Sequence, residues 1–183
     1  MDRMQYLQLI SKLKHLPRRG WVLSEIQSPE TVAGHMYRMA MCAFLLPSTY
    51  NTSKIIKMSL VHDVCESIVG DITPHDNVPQ QEKFQLEYNA MIRISALLPH
   101  SWSKEEMLSL WLEYEEGSTE EARIVKDLDK YDMIVQGFEY EKDHSKNLQS
   151  FFQGLGIFQT EIVRGWAEEL YRERQAYHNN TLV

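Results

Sequence analysis

The chain has 183 residues, 43% of them apolar, with 19 basic against 26 acidic side chains and a formal net charge of −7. This is enough sequence for one large domain with a real core, and the charge argues against broad binding to nucleic-acid polymers or anionic membrane surfaces. No apolar run approaches the roughly 18 residues of a membrane span. The N-terminus, Met1-Asp2-Arg3-Met4-Gln5-Tyr6, lacks the basic-then-apolar pattern of a secretory signal, so the expected location is the cytoplasm or nucleus.

Gly and Pro are sparse and clustered, strand alternation is nearly absent, and the stretches between breakers have helical spacing. The pattern predicts one all-α domain over 1–183, a bundle of six or seven helices with its core over about 2–177 and a polar tail at 178–183. The first helix is expected over 2–15, with Met4, Leu7, Ile10 and Leu13 on one stripe. A loop through Pro17-Arg18-Arg19-Gly20-Trp21 follows. Ser28-Pro29-Glu30 is a start signal for a helix running to 46. The third helix is expected over 53–69, ending at Gly70. Further helices are expected over 80–98, 104–115, 120–141 (Ser118-Thr119 as cap) and 161–177. Cys42 and Cys65 lie in apolar helical patterns and read as free thiols, since two cysteines make no disulfide framework.

The third helix holds a contradiction. Leu60, Val61, Val64, Ile68 and Val69 want burial, yet His62, Asp63 and Glu66 sit among them and Asp71 follows Gly70. Glu66 is four residues after His62 and three after Asp63, so all three fall near one turn. A histidine and a carboxylate converging in an apolar setting suit a divalent cation, which offsets the cost of burying charge. One turn cannot complete the shell. His35, after Gly34 in the second helix, is one further candidate, and one of Asp127, Asp129 or Asp132 is another. Periodicity does not choose among the three aspartates.

The ordered set Arg18-x-Gly-Trp21, Glu30-Thr-Val-x-x-His35, His62-Asp63-x-x-Glu66, Gly70-Asp71-Ile-x-Pro74 and Asp129 resembles the HD-domain 5′-deoxynucleotidase family, its eukaryotic branch most of all. The resemblance runs from about residue 5 to residue 172. It implies an all-helical homodimer that hydrolyses deoxynucleoside 5′-monophosphates with one divalent metal ion. It further implies that His35, His62, Asp63 and Asp129 ligate the metal and that Glu66 is the catalytic acid or base. Asp71 would orient the sugar or a water, Arg18 would hold the 5′-phosphate, and Trp21 would pack on the deoxyribose. Histidine-plus-carboxylate ligation favours Mn²⁺, Fe²⁺, Co²⁺, Ni²⁺ or Zn²⁺, with Mg²⁺ admitted where it is abundant.

Two rival readings remain at this level: an HD phosphohydrolase for a cyclic nucleotide or a triphosphate, and a non-catalytic helical scaffold that binds a nucleotide. His75, His100, His144 and His178 lack partners at ligand spacing and read as ordinary surface histidines. Glu113-Tyr114-Glu115-Glu116 reads as a solvated helix end from which Glu113 or Glu115 could reach the site. Met36, Met39 and Met41 read as core or an oligomer face, and the apolar run Phe151-Phe152 as a cap on the core or part of a dimer surface.

Overall fold

The computed structural model describes residues 3–181. Seven long helices carry the fold: α1 (Arg3–Leu13), α3 (Val32–Cys42), α4 (Thr52–Val61), α6 (Gln80–Ser95), α7 (Ser101–Glu116), α8 (Glu120–His144) and α9 (Glu161–Thr181). Two short ones, α2 (Arg19–Leu23) and α5 (Glu66–Val69), sit beside the site. No strand forms among the described residues. The nearest approach is one antiparallel bridge between Pro17 and Thr31.

Helix α8 is the central rod. It packs against α3, α4, α7 and α9, while α5 lies against α1 and α6. Its buried face, including Ile124, Val125, Leu128 and Ile134, meets Met39, Ile55 and Met58 from α3 and α4. Each such side chain contributes roughly 1.5–3 kcal/mol through burial. The ends follow local chemistry. Thr31, Asn51 and Thr119 accept the backbone N–H groups of Gly34, Lys54 and Ala122 and so cap α3, α4 and α8. Gly117, at φ 64°, takes the left-handed turn that ends α7.

Three expectations need correction. The second helix starts at Val32, not at Ser28. Arg18 N–H donates to Glu30 O (3.0 Å) and Val32 N–H to Leu16 O (2.9 Å), so the segment leading to Thr31 is tied to the incoming chain. The third helix is broken: α4 stops at Val61 and α5 begins at Glu66. Between them Val64, Glu66 and Ser67 bond three residues back rather than four, which tightens the chain at His62 and Asp63. The expected polar tail is helical through Thr181. His178 reaches Glu141 Oε2 at 3.1 Å, and Arg174 forks onto both oxygens of the same buried carboxylate. Residues 182–183, the rest of that tail, lie outside the described residues, as do residues 1–2.

Candidate active site

The donor set comes from three places. His35 stands in the first turn of α3, His62 and Asp63 in the tight turn after α4, and Asp129 in mid-α8. Ligand atoms of His35, His62 and Asp129 lie within 4.8 Å of one another. Asp63 Oδ2 is 3.0 Å from His62 Nε2 and 3.8 Å from His35 Nε2, and Asp129 Oδ1 is 3.0 Å from His35 Nε2. Despite these distances neither buried Nε2 makes an aligned hydrogen bond.

The outer nitrogens explain why. His62 Nδ1–H donates to Ser59 O at 2.9 Å, and His35 Nδ1–H to Asp132 Oδ2 at 2.6 Å. With Nδ1 committed, each ring offers Nε2 to the same space. Two imidazole nitrogens and two carboxylates converging there fit a divalent transition metal. Burial and Arg18 oppose protonation of His35, but Asp129 and Asp132 outweigh them and put its pKa at about 9, so a cation at Nε2 displaces a proton. Burial alone would raise Asp129; the contacts with His35, Arg18 and His62 instead hold it well below the usual carboxylate range.

Glu66 opens α5 beside this cluster, buried, with Oε2 unpartnered. Burial, with Asp63 and Asp71 nearby, raises its pKa well above the ordinary value. Arg18 sends Nη1 to Asp63 Oδ2 (3.3 Å) and Nη2 to Asp129 Oδ1 (3.5 Å). Arg19 turns away, its guanidinium paired with Asp76. Asp71 Oδ2 accepts the Arg19 backbone N–H at 2.8 Å, at the start of α2. Arg18, His62, Asp63, Glu66, Asp71 and Asp129 line a cavity of about 740 Å³, while His35 stands behind its wall, fully buried.

Trp21 is only 2% exposed. Its ring packs on Phe151, with centroids 4.4 Å apart, and edge-on to Tyr140, while Nε1–H donates to Glu30 Oε1 at 2.8 Å. It therefore lines the cavity from a packed position, with Phe151 against its ring. A Cβ on Gly137 would stand at an ordinary contact distance of 3.5 Å from this ring and from Phe152, so α8 passes close beside the indole.

Several lining residues escaped the sequence reading. Tyr114 donates its hydroxyl to Asp129 Oδ2 at 3.2 Å. Lys83 donates to Ile72 O at 2.9 Å and lies 3.6 Å from Glu87 Oε1. Glu87 shares the α6 face of Ala90, Met91 and Ile94, and a charge on that apolar stripe was the available signal. Of the acidic pair ending α7, Glu115 lines the cavity and Glu113 instead binds Lys54. His75 also lines it. Asp127 is buried elsewhere, accepting from Gln159 and Thr160 at the start of α9.

A helical bundle whose centre joins two histidines to two aspartates defines a metal-site protein of the HD class. Residues 10–170 match the HD domain family, and the chain belongs to that family. It is 43% identical to 5′-deoxynucleotidase hdd1 of Schizosaccharomyces pombe over 94% of this chain and 90% of that one. It is 44% identical to 5′-deoxynucleotidase HDDC2 of Danio rerio over 95% and 89%. Among solved structures, PH0347 from Pyrococcus horikoshii OT3 superposes with a TM-score of 0.76 at 28% identity, covering 94% of this chain and 98% of that one.

Proposed function

We propose that this chain, as one HD domain over 1–183, hydrolyses deoxynucleoside 5′-monophosphates to deoxynucleoside and phosphate. The observation that carries the reading is the convergence of two unpartnered imidazole nitrogens, one on His62 in the cavity wall and one on His35 just behind it, with Asp63, Asp129, a buried Glu66 and Arg18. The relatives named 5′-deoxynucleotidase supply the substrate class. The lining holds two side chains of permanent positive charge, Arg18 and Lys83, which favours one phosphate over three.

His35, His62, Asp63 and Asp129 would hold one divalent ion, Mn²⁺, Fe²⁺, Co²⁺, Ni²⁺, Zn²⁺ or Mg²⁺. When bound it supplies Lewis acidity toward the phosphoryl oxygens and makes water acidic enough to attack at neutral pH. Arg18, braced by two carboxylates, presents its remaining N–H groups to the phosphate. Asp71 holds the loop that carries Arg18, and Tyr114 fixes the orientation of Asp129. As water oxygen bonds to phosphorus, the bond from phosphorus to O5′ breaks. Glu66, kept neutral by its surroundings, delivers its proton to that oxygen and recovers one from the attacking water. Trp21 and Phe151 form the wall against which the deoxyribose packs. A cytoplasmic homodimer belongs to this reading, with Tyr37, Met41, Phe44 and Leu45 as exposed apolar residues available for pairing. No helix among the described residues is long and apolar enough to cross a membrane.

The test is phosphate release from protein reloaded with Mn²⁺ or Co²⁺ and offered dNMPs, NMPs, dNTPs and cyclic nucleotides. Activity confined to dNMPs and abolished in Asp63→Ala is expected. Glu66→Gln should lower kcat by about 10²- to 10⁴-fold while Co²⁺ still binds. A folded, metal-loaded protein inactive on every dNMP rejects the proposal.

A further inference from the structure

The mechanism leaves one buried network unused, directly behind His35. Asp132 has no exposed side-chain surface, nor does His35, and the two meet at 2.6 Å through Nδ1 and Oδ2. The other oxygen of Asp132 accepts from Arg38 Nε. Arg38 Nη1 donates to Glu139 Oε2 at 2.9 Å, and Nη2 to Gln136 Oε1 at 2.8 Å. Nη2 also lies 3.7 Å from Glu30 Oε2, the carboxylate whose other oxygen holds the Trp21 indole.

Glu30, His35 and Asp132 approach closely enough to suggest a second cation site. The Arg38 guanidinium already lies against both of those carboxylates, and the His35 nitrogen facing them is its Nδ1, committed to Asp132. The cluster is therefore a support for the first site. A carboxylate accepting from Nδ1–H fixes both the tautomer and the ring angle of a metal-binding histidine. Without it, Nδ1 and Nε2 compete for the single proton of the neutral ring, and neither tautomer nor ring angle is enforced.

We propose that Asp132 is a positioning residue that locks His35 with Nε2 toward the metal, and that Arg38 holds Asp132 in place. The pair acts through His35 and touches neither substrate nor metal. The inference rests on the proposed metal centre but not on the identity of the nucleotide.

The test uses metal-stripped full-length protein titrated with Co²⁺, reading the dissociation constant and the visible absorption bands. ¹⁵N-detected NMR of the metal-free samples at about pH 10, above the His35 pKa, reports its tautomer. Asp132→Ala should weaken Co²⁺ binding by about 10- to 100-fold and convert His35 from one tautomer to a mixture. Asp132→Asn, which keeps an acceptor oxygen, should recover part of the loss. Arg38→Met, at a partly exposed position, should weaken binding by a smaller factor and in the same direction. A folded Asp132→Ala protein with wild-type affinity, bands and tautomer overturns the proposal. Should Asp132→Ala fail to fold, wild-type behaviour of both Asp132→Asn and Arg38→Met overturns it instead. Wild-type protein that binds no Co²⁺ overturns it together with the metal centre. Wild-type protein that binds Co²⁺ but releases phosphate from no dNMP rejects the proposed function, and the variant comparison still decides the role of Asp132.

Discussion

Asp71 accepts the backbone N–H of Arg19 at 2.8 Å, so the residue that follows the second half of the broken helix also fixes the first turn of α2. Arg18 precedes that turn and points its guanidinium at Asp63 and Asp129. A hydrogen bond to a carboxylate is worth about 1.5–3 kcal/mol. Asp71→Ala should therefore raise KM for a dNMP about tenfold or more through misplacement of Arg18, a change that steady-state phosphate release measures. An unchanged KM would mean that the loop holds Arg18 without this contact.

Trp21 should set sugar selectivity through the wall that it makes with Phe151. Truncation to alanine would open a large hole in the core, since the ring is almost wholly buried. Trp21→Phe is the cleaner change. It should raise kcat/KM for AMP relative to dAMP by about tenfold, the scale on which apolar pockets discriminate. Equal ratios in wild type and variant would remove Trp21 from selectivity.

Glu87 gives a prediction for stability against pH. Burial raises its carboxyl most; Lys83 opposes, Glu115 and Asp63 add, and the result is about 7 against an ordinary 4.5. The folded state therefore holds an extra proton between those values, and stability falls as pH rises through that window. Glu87→Gln should stabilise the protein at pH 8 by on the order of 1–2 kcal/mol and give no gain at pH 4. Thermal unfolding at the two pH values measures it, and an equal shift at both contradicts the assignment.

Asp127 anchors the segment that leads into α9. Its Oδ2 accepts from the backbone N–H groups of Gln159 (2.9 Å) and Thr160 (2.7 Å) and from the Thr160 hydroxyl (2.8 Å). Asp127→Ala leaves those donors unpaired at the start of α9 and should cost about 2–4 kcal/mol in urea unfolding. Activity per folded molecule should stay near wild type, because Asp127 does not line the cavity.

The seven long helices were legible because each carries an apolar stripe at helical spacing. The break at residues 62–65 was not. Val61, Val64 and Cys65 keep an apolar, buried pattern up to and through it, and periodicity cannot see bonds shortening from four residues back to three. The three aspartates of α8 show a similar limit. Asp127, Asp129 and Asp132 all lie at or near the buried arc, and what separates them is the partner each faces: the start of α9, the His35–His62 pair, and Arg38. Those partners lie far along the chain, so family resemblance chose Asp129 where spacing could not. Helix α2 is only five residues long and depends on Asp71, a contact no local pattern encodes.

Phe151 closes the cavity from the connection between α8 and α9, while every proposed metal ligand precedes Lys130. During synthesis Trp21 and the four donors emerge first, and the Phe151 half of the wall arrives last. A nascent chain halted after α8 would carry a complete cation-binding set with its sugar pocket still open on one side. In such a chain, ion capture would come before substrate discrimination.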